Sequence, residues 1–477
     1  MSDSPKPSSE QPGQHGGPGT DSSDADKPSI AFLKPIVDAK HGEVAPLFAS
    51  TAWIFFALTA YYIVKPLRSS VLQEKIGVDN KSIALILTTA FVGVFAYVYG
   101  KIVPRVARSK LIVATFLVFI ACLVAFAVFL PSGDKITGYT YFVWVSTFNL
   151  MIVSQFWSLA ADVWTKAEGT RLYGFIGVGG VTGGIFGTLV VSQFAKKLST
   201  QQMLFMSAVV LVICLLLAIY ILHFAAVRGR NTAAVPNNGN AKDAKDQGGG
   251  KAPSTSSAGA SHKGNAVLMV VESPYLRLVA LMMLILNIVN TNNEWILDKM
   301  VSRQHLSSEA VRAFYGEFYL FQNVITFGIQ LFLTSRIQRR FGSRIALFFE
   351  PIVGLVGGAA FLVVPALAVI RWTKILENAT DYSIQSNTKE TLYLPVSTVE
   401  KYSAKNFNDT FVVRGGDALA AAFIFAATNF ILPAFGDIGL KMMVGVDIVL
   451  GVVWLLIANR VGRMHADLMK PSATTSS

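Results

Sequence analysis

Apolar residues arrive along this chain in blocks of about twenty, the length that crosses a hydrocarbon core of roughly 30 Å. Eleven such blocks run near 47–64, 84–100, 111–130, 139–161, 173–194, 203–224, 276–296, 314–334, 345–369, 412–434 and 440–459. The interval before the last two breaks the pattern. Residues 372–396 fall where a further span is expected, yet they are nearly all polar: Glu377, Asn378, Thr380, Asp381, Ser383, Gln385, Ser386, Asn387, Thr388, Lys389 and Glu390. Ionisable side chains at membrane depth are costly and normally face a bundle interior or a water-filled path. A helix here is therefore expected to line a cavity. Counting it gives an all-α membrane protein of twelve transmembrane helices in two six-helix halves, with both termini on one side.

Composition agrees: 52% of the 477 residues are hydrophobic and 15% charged. Residues 1–30 carry Ser, Pro, Gly and Asp without an apolar segment, so no signal peptide is expected and 1–45 reads as a disordered cytoplasmic tail. Loops assigned to the inner side hold Lys101, Arg105, Arg108 and Lys110, then Lys166 and Arg171, then Arg336, Arg339, Arg340 and Arg344, then Lys401, Lys405 and Arg414. The outer loops are poorer, although Lys196 and Lys197 lie there. This positive-inside bias accounts for most of the net charge of +12 without a nucleic-acid partner, and places both termini in the cytoplasm. Cys122 and Cys214 sit mid-span and read as inert core thiols, while the six histidines show no metal-ligand spacing. No cofactor is implied.

From 228 to 273 the chain turns to Gly, Ala, Asn, Ser, Lys and Asp, a flexible cytoplasmic linker that cannot build a core. It separates an N-terminal half, 46–227, from a C-terminal half, 274–462, with a short tail at 463–477. The halves echo each other. Gly100 to Arg108 and Ser335 to Arg344 are both small-residue starts followed by basic residues, and resemble degraded copies of the loop motif of the major facilitator superfamily, with its Asp replaced by Pro104 and Arg339. Ordinary positive-inside charge is the competing reading. Arg171 with Gly174 is matched by Arg414 with Gly415 and Gly416. Six plus six parallel repeats with a site at their midplane interface is a known transporter plan. Gly179, Gly183 and Gly187, with Gly180 and Gly184, make small-xxx-small faces for close helix packing, and Gly354 and Gly358 do the same near the ninth span.

Four clusters place charge at membrane depth. Lys65-Pro66-Leu67-Arg68 follows Tyr61-Tyr62, and the proline is expected to end or bend its helix; interfacial snorkelling is the plain alternative, with Lys75 and Lys81 already serving that end. Asp162 leads into Lys166, Glu168, Arg171 and Tyr173. Asn287, Asn290, Asn292, Asn293, Glu294, Asp298 and Lys299 crowd one end of the seventh span. The polar segment continues into Lys405, Asp409, Arg414 and Asp417. Positions 374, 378, 381, 385 and 389 share one helical face and predict a cavity wall; the alternative is a set of internal salt bridges among Asp381, Glu390, Lys389 and Arg414 that lock helices together. Arginine forks and mobile lysine charges suit phosphate or carboxylate, and Tyr61, Tyr62, Tyr173, Tyr382 and Tyr393 stand near these cations to stack a base or cap a ring.

Ala379-Thr380-Asp381-Tyr382-Ser383, with Thr388-Lys389-Glu390 and Tyr393-Leu394-Pro395, resembles the signature of the non-mitochondrial ATP/ADP translocases. Arg171-Leu172-Tyr173-Gly174 and Val64 to Arg68 are similar to two further segments of that family. Ser69 replaces an aspartate, and Ser386-Asn387 an Asp-Pro pair. The resemblance implies a major facilitator-like fold in the lipid bilayer of a bacterial inner membrane that exchanges ATP/ADP-type nucleotides by alternating access; it is expected to work as a monomer. Its candidate substrate-binding residues are Lys65, Arg68, Asp162, Arg171, Tyr173, Asn293, Glu294, Asp381, Lys389, Glu390, Arg414 and Asp417. Two alternatives stay open: transport of another phosphorylated or organic anion, and a non-transporting receptor or scaffold. No Walker A pattern, nucleophile–base set or metal cluster is visible, so an enzyme is not expected.

Overall fold

A computed structural model describes residues 40–233 and 266–469. The central part of the linker, 234–265, and most of both tails lie outside the described residues. The linker's ends are helical: α6 (Thr200–Ala233) runs into its start, and α7 (Ala266–Glu272) occupies its close.

The first half of the described chain, residues 40–233, comprises α1 (Val44–Val71), α2 (Lys81–Ile102), α3 (Arg108–Phe129), α4 (Lys135–Val163), α5 (Lys166–Phe194) and α6. After α7 come α8 (Pro274–Ser302), α9 (Ser308–Ile329), α10 (Ser335–Ala346), α11 (Phe349–Val363), α12 (Leu367–Thr380), α13 (Ser386–Thr391), α14 (Thr398–Phe407), α15 (Val413–Ala426), α16 (Leu432–Phe435) and α17 (Asp437–Leu468). Among the described residues, nine helices are long and apolar enough to cross a membrane, and α9–α10 with α11 form a pair bent by 69° that passes the same test together. The protein is a multi-pass integral membrane protein.

Local sequence sets several helix ends. Asp134 caps α4 by accepting from the Thr137 amide at 3.1 Å. Capping boxes open α5, through Thr165 and Glu168, and α14, through Ser397 and Glu400. Where one apolar block near 345–369 was expected, α11 stops at Val363. Val364 is extended before Pro365, as proline demands of its predecessor, and α12 starts at Leu367. The polar helix thus begins earlier than residue 372. Pro66 does not end α1, which continues to Val71 before a π-helical turn over Leu72–Ile76.

The glycines of α5 lie against α1. A Cβ at Gly179 or Gly187 would come within 2.6 Å of the Thr51 or Thr59 carbonyl oxygen, and one at Gly183 would strike the carbonyl of Phe55. The small-residue face therefore permits backbone-to-backbone packing, and Thr59 Oγ1 donates to Gly183 O at 3.1 Å across it. In α11, Gly357 meets the Thr373 side chain, Gly354 lies against Glu377, and Gly358 lies against Ile448. Cys214 is buried and Cys122 partly so; both are free thiols.

Candidate substrate site

Two features bring the polar residues together: the meeting of α1 with α8 and α9, and the polar helix α12–α13. At the first, Lys65 is 8% exposed and lies among four tyrosines. Its Nζ is 4.3 Å from the ring centre of Tyr319, 5.4 Å from Tyr62, 5.9 Å from Tyr382 and 6.0 Å from Tyr61. Among the described residues no carboxylate pairs with it. One turn on, Arg68 stacks on Phe142 at 4.7 Å and donates to Glu294 at 3.3 Å and to Ser146 Oγ at 3.1 Å.

Beyond Arg68 a ladder of contacts ties the turns between α1 and α2, and the start of α2, to α8 and α9. Lys81 is 1% exposed and pairs with Asp298 at 2.5 Å and Glu294 at 3.4 Å. Tyr315 also donates to Asp298, Gln73 donates to the Asp298 carbonyl at 2.8 Å, Ser308 donates to Glu74 at 2.9 Å, and Lys299 pairs with Asp79. Lys81 is thus a buried partner across the two halves, contrary to its expected place as an interfacial anchor. Its position next to a polar turn hides this in the sequence, because the partner lies 217 residues away.

The polar helix is broken by a π-helical turn over Asp381–Gln385, closed by the Ser386 amide donating to Asp381 O. The extra residue of a π-turn rotates everything after it. Of the five positions expected on the cavity wall, Asp381 and Lys389 line it, whereas Lys374, Asn378 and the fully buried Gln385 do not, and Ser386 stands where Gln385 was expected. A cavity of about 240 Å³ opens there, lined among others by Asn287, Asn290, Asp381, Ser386, Lys389 and Asp409. Lys389 pairs with Asp381 at 2.9 Å, and Glu390 with Lys405 at 2.6 Å. Deeper in the bundle, Lys374 donates to the side chain and carbonyl of Asn290 and lies 3.5 Å from Glu377, which accepts from Asn293 at 2.8 Å.

The expected site residues divide accordingly. Lys65, Arg68, Asn293, Glu294, Asp381, Lys389 and Glu390 lie on these two features. Arg414 bonds to Asp417 at 3.2 Å, one turn along α15, and neither lines the cavity. Asp162, Arg171 and Tyr173 do not line it either. Arg171 bonds to Glu43 at 2.9 Å, a buried residue that the sequence assigned to the tail, and Tyr173 donates to Ala160 O at 3.2 Å and packs on Trp157. Sequence reasoning missed Tyr319, Glu350 and Asp447. The last two are lone acids in apolar helices, which is itself a signal of function.

The family model described as Major Facilitator Superfamily matches residues 11–376. The chain belongs to this superfamily. As a major facilitator it is a secondary transporter of small molecules. It is 22% identical over 448 residues to ADP,ATP carrier protein 1 of Chlamydia trachomatis serovar D, covering 81% of this chain and 82% of the relative. The ADP,ATP carrier protein 1 of Chlamydia muridarum is 22% identical over 451 residues, with the same coverage. Among solved structures, an inward-facing bacterial homolog of the human lysosomal transporter Spinster superposes with a TM-score of 0.57 at 13% identity, covering 91% of this chain and all of that one. The nucleoside transporter NupG superposes with a TM-score of 0.54 at 12% identity, covering 91% and 100%. These similarities carry the facilitator fold.

Proposed function

We propose that this chain exchanges nucleotides of the ATP/ADP type across a bacterial inner membrane by alternating access, working as a monomer with both termini in the cytoplasm. In this reading the nine apolar helices, the bent pair as two spans and the polar α12–α13 make twelve, arranged as six and six about the linker. The observation that carries the function is Lys65: a buried cation with no acidic partner among the described residues, enclosed by tyrosine rings. A buried charge needs a partner, and a phosphate supplies one. The rings of Tyr61, Tyr62, Tyr319 and Tyr382 offer faces on which a base stacks. The similarity to proteins named ADP,ATP carriers supports the same substrate class.

In this mechanism Lys65 and Lys389 hold the anion, Arg68 and Glu294 border it, and Asp381 holds Lys389 when the anion is elsewhere. The contacts around Lys81 and Asp298 close one end of the interface, while the cavity at Asp381 and Lys389 opens toward the other. Rocking of the halves exchanges the two ends. Purified protein in liposomes loaded with ADP should take up labelled ATP, and empty liposomes should not. Equal uptake into both sets would contradict exchange. Ser69 and Ser386-Asn387, where the sequence departs from the translocase pattern, favour a second reading in which another phosphorylated anion is carried. A panel of unlabelled competitors separates the two.

A further inference from the structure

Beside the tyrosine cage lies a cluster of side-chain amides with hydrogen bonds left unmade. On α9, Gln322 and Asn323 follow Tyr319 by about one turn, so both stand next to it on the helix surface. On the polar helix, Asn378 precedes the caging Tyr382 by the same interval. The two elements meet here, where Asn378 Nδ2 donates to Gln322 Oε1 at 2.9 Å. Gln322 is fully buried and Asn323 is 7% exposed. Yet neither Gln322 Nε2 nor Asn323 Nδ2 has a hydrogen-bond partner among the described residues. Buried donors are almost always paired, so two unpaired ones side by side call for an acceptor from outside the chain. Asn323 also stands where the halves cross: a Cβ at Gly184 of α5 would lie 3.4 Å from its Nδ2 and 3.1 Å from the Tyr62 ring. The way in is past Tyr382, which is 46% exposed with its ring 5.9 Å from Lys65 Nζ, and past the partly exposed Asn378.

We propose that Gln322 and Asn323 read the base of the nucleotide and favour adenine. This role rests on the exchange reading above and adds which part of the substrate these residues recognise. Adenine offers ring nitrogens that accept hydrogen bonds beside an exocyclic amine that donates. A side-chain amide carries the matching pair, an N–H donor next to a carbonyl acceptor, and binds such an edge through both. Gln322 is set for this, since Nε2 is unengaged and Oε1 keeps a lone pair after accepting from Asn378. Asn323 Nδ2 supplies a further donor for a ring nitrogen. The rings of Tyr62, Tyr319 and Tyr382 stand close by to hold the face of the base. Guanine carries a carbonyl where adenine carries the amine, and would set it against Gln322 Oε1. The amide cannot turn over to suit guanine without losing its bond to Asn378. The lysines thus take the anion and the amides take the base.

Binding of ATP, GTP and inorganic tripolyphosphate, the same anion without a base, should be measured on the purified full-length protein. The wild type should prefer ATP to the other two by about tenfold or more. Gln322→Leu and Asn323→Leu should each lose most of that preference while keeping the wild-type affinity for tripolyphosphate. Removing a donor that has no partner should leave the melting temperature of Asn323→Leu unchanged. Asn323→Ser, which is smaller and also lacks the amide, carries the test if the leucine variants do not fold. A wild type that binds ATP no better than GTP or tripolyphosphate overturns the base subsite and leaves the anion site standing. So do variants that keep the full preference for ATP. A lower melting temperature with equal losses for ATP and tripolyphosphate makes the amides structural, which also overturns it. If none of the three ligands binds the wild type, the exchange reading itself fails, and the subsite with it.

Discussion

The two halves of the described chain, residues 40–233 and 266–469, are built from different materials. In the first, most of the apolar core is one cluster running from Leu47 to Ile221, beside a small one at Leu72, Ile76, Ala84 and Phe142, and α5 is pressed onto α1 through a glycine face. In the second, the core divides mainly into two clusters, one around Trp295, Phe318 and Met443, the other around Tyr275, Leu286 and Trp454. Of the five π-helical turns among the described residues, four lie in the second half, at Gln330–Thr334, Asp381–Gln385, Asn408–Val412 and Ala427–Ile431. Four of the six buried acids among the described residues, Asp298, Glu350, Glu377 and Asp447, are there as well, against Glu43 and Glu168 in the first. π-turns weaken the regular helical ladder and recur at functional sites. The difference assigns close packing to the first half and most of the buried acids to the second, with Lys65, Arg68 and Lys81 as the first half's charges at the contact between them.

Substitutions in the packed half should have the largest effects. Gly183→Leu places a side chain against the carbonyl of Phe55, a backbone atom that cannot swing away. Overpacking costs about 1–3 kcal/mol, occasionally more, and this case belongs at or above the top of that range. Loss of monodisperse protein on gel filtration is expected, whereas Gly358→Ala, whose added methyl comes no nearer than 3.1 Å to the Ile448 side chain, should survive with a slightly lower melting temperature. Equal tolerance at both positions would erase the distinction between the halves.

The contact between halves comes next. Removing Lys81 leaves Asp298 buried with a hydroxyl and no cation, and breaking a buried ion pair costs about 3–5 kcal/mol. Lys81→Met should therefore lower the melting temperature sharply, and Lys81→Met with Asp298→Leu should recover most of the loss. A double variant as unstable as the single one would show that the pair does more than neutralise itself.

The smallest expected effects lie on the polar helix. Lys389→Ala should weaken nucleotide affinity by about one decade, the worth of one charge-assisted hydrogen bond of roughly 1.5–3 kcal/mol partly offset by loss of the competing Asp381 pair. Arg414→Ala should change it less, since Arg414 is turned to Asp417 outside the cavity. Binding isotherms on the two purified variants check the order, and a larger loss for Arg414→Ala would shift the site toward α15.

Much of this arrangement is legible in the chain. Block length reveals the apolar helices, and the spacing of Gly179, Gly183 and Gly187 reveals their packing face, because both properties are local. Capping boxes at Thr165 and Ser397 are local too. Three features are not. The π-turn at Asp381 leaves no compositional trace, so the predicted wall at Gln385 is out by one residue and Ser386 stands there instead. The pairs Lys81–Asp298 and Arg171–Glu43 join residues more than a hundred positions apart, so Lys81 reads as an interfacial lysine and Glu43 as part of a tail. The break at Pro365 divides what hydropathy joins into one block.

The central claim is that Lys65, held among tyrosines from both halves, binds the anionic part of the substrate. Binding of ATP and the melting temperature should be measured on the same preparation of Lys65→Ala beside the wild type. Because Lys65 has no carboxylate to leave behind among the described residues, the melting temperature should hold. Affinity should fall by about one to two decades, at roughly 1.4 kcal/mol per decade. A variant that binds ATP as tightly as the wild type, or that loses its stability and keeps its affinity, would contradict the account.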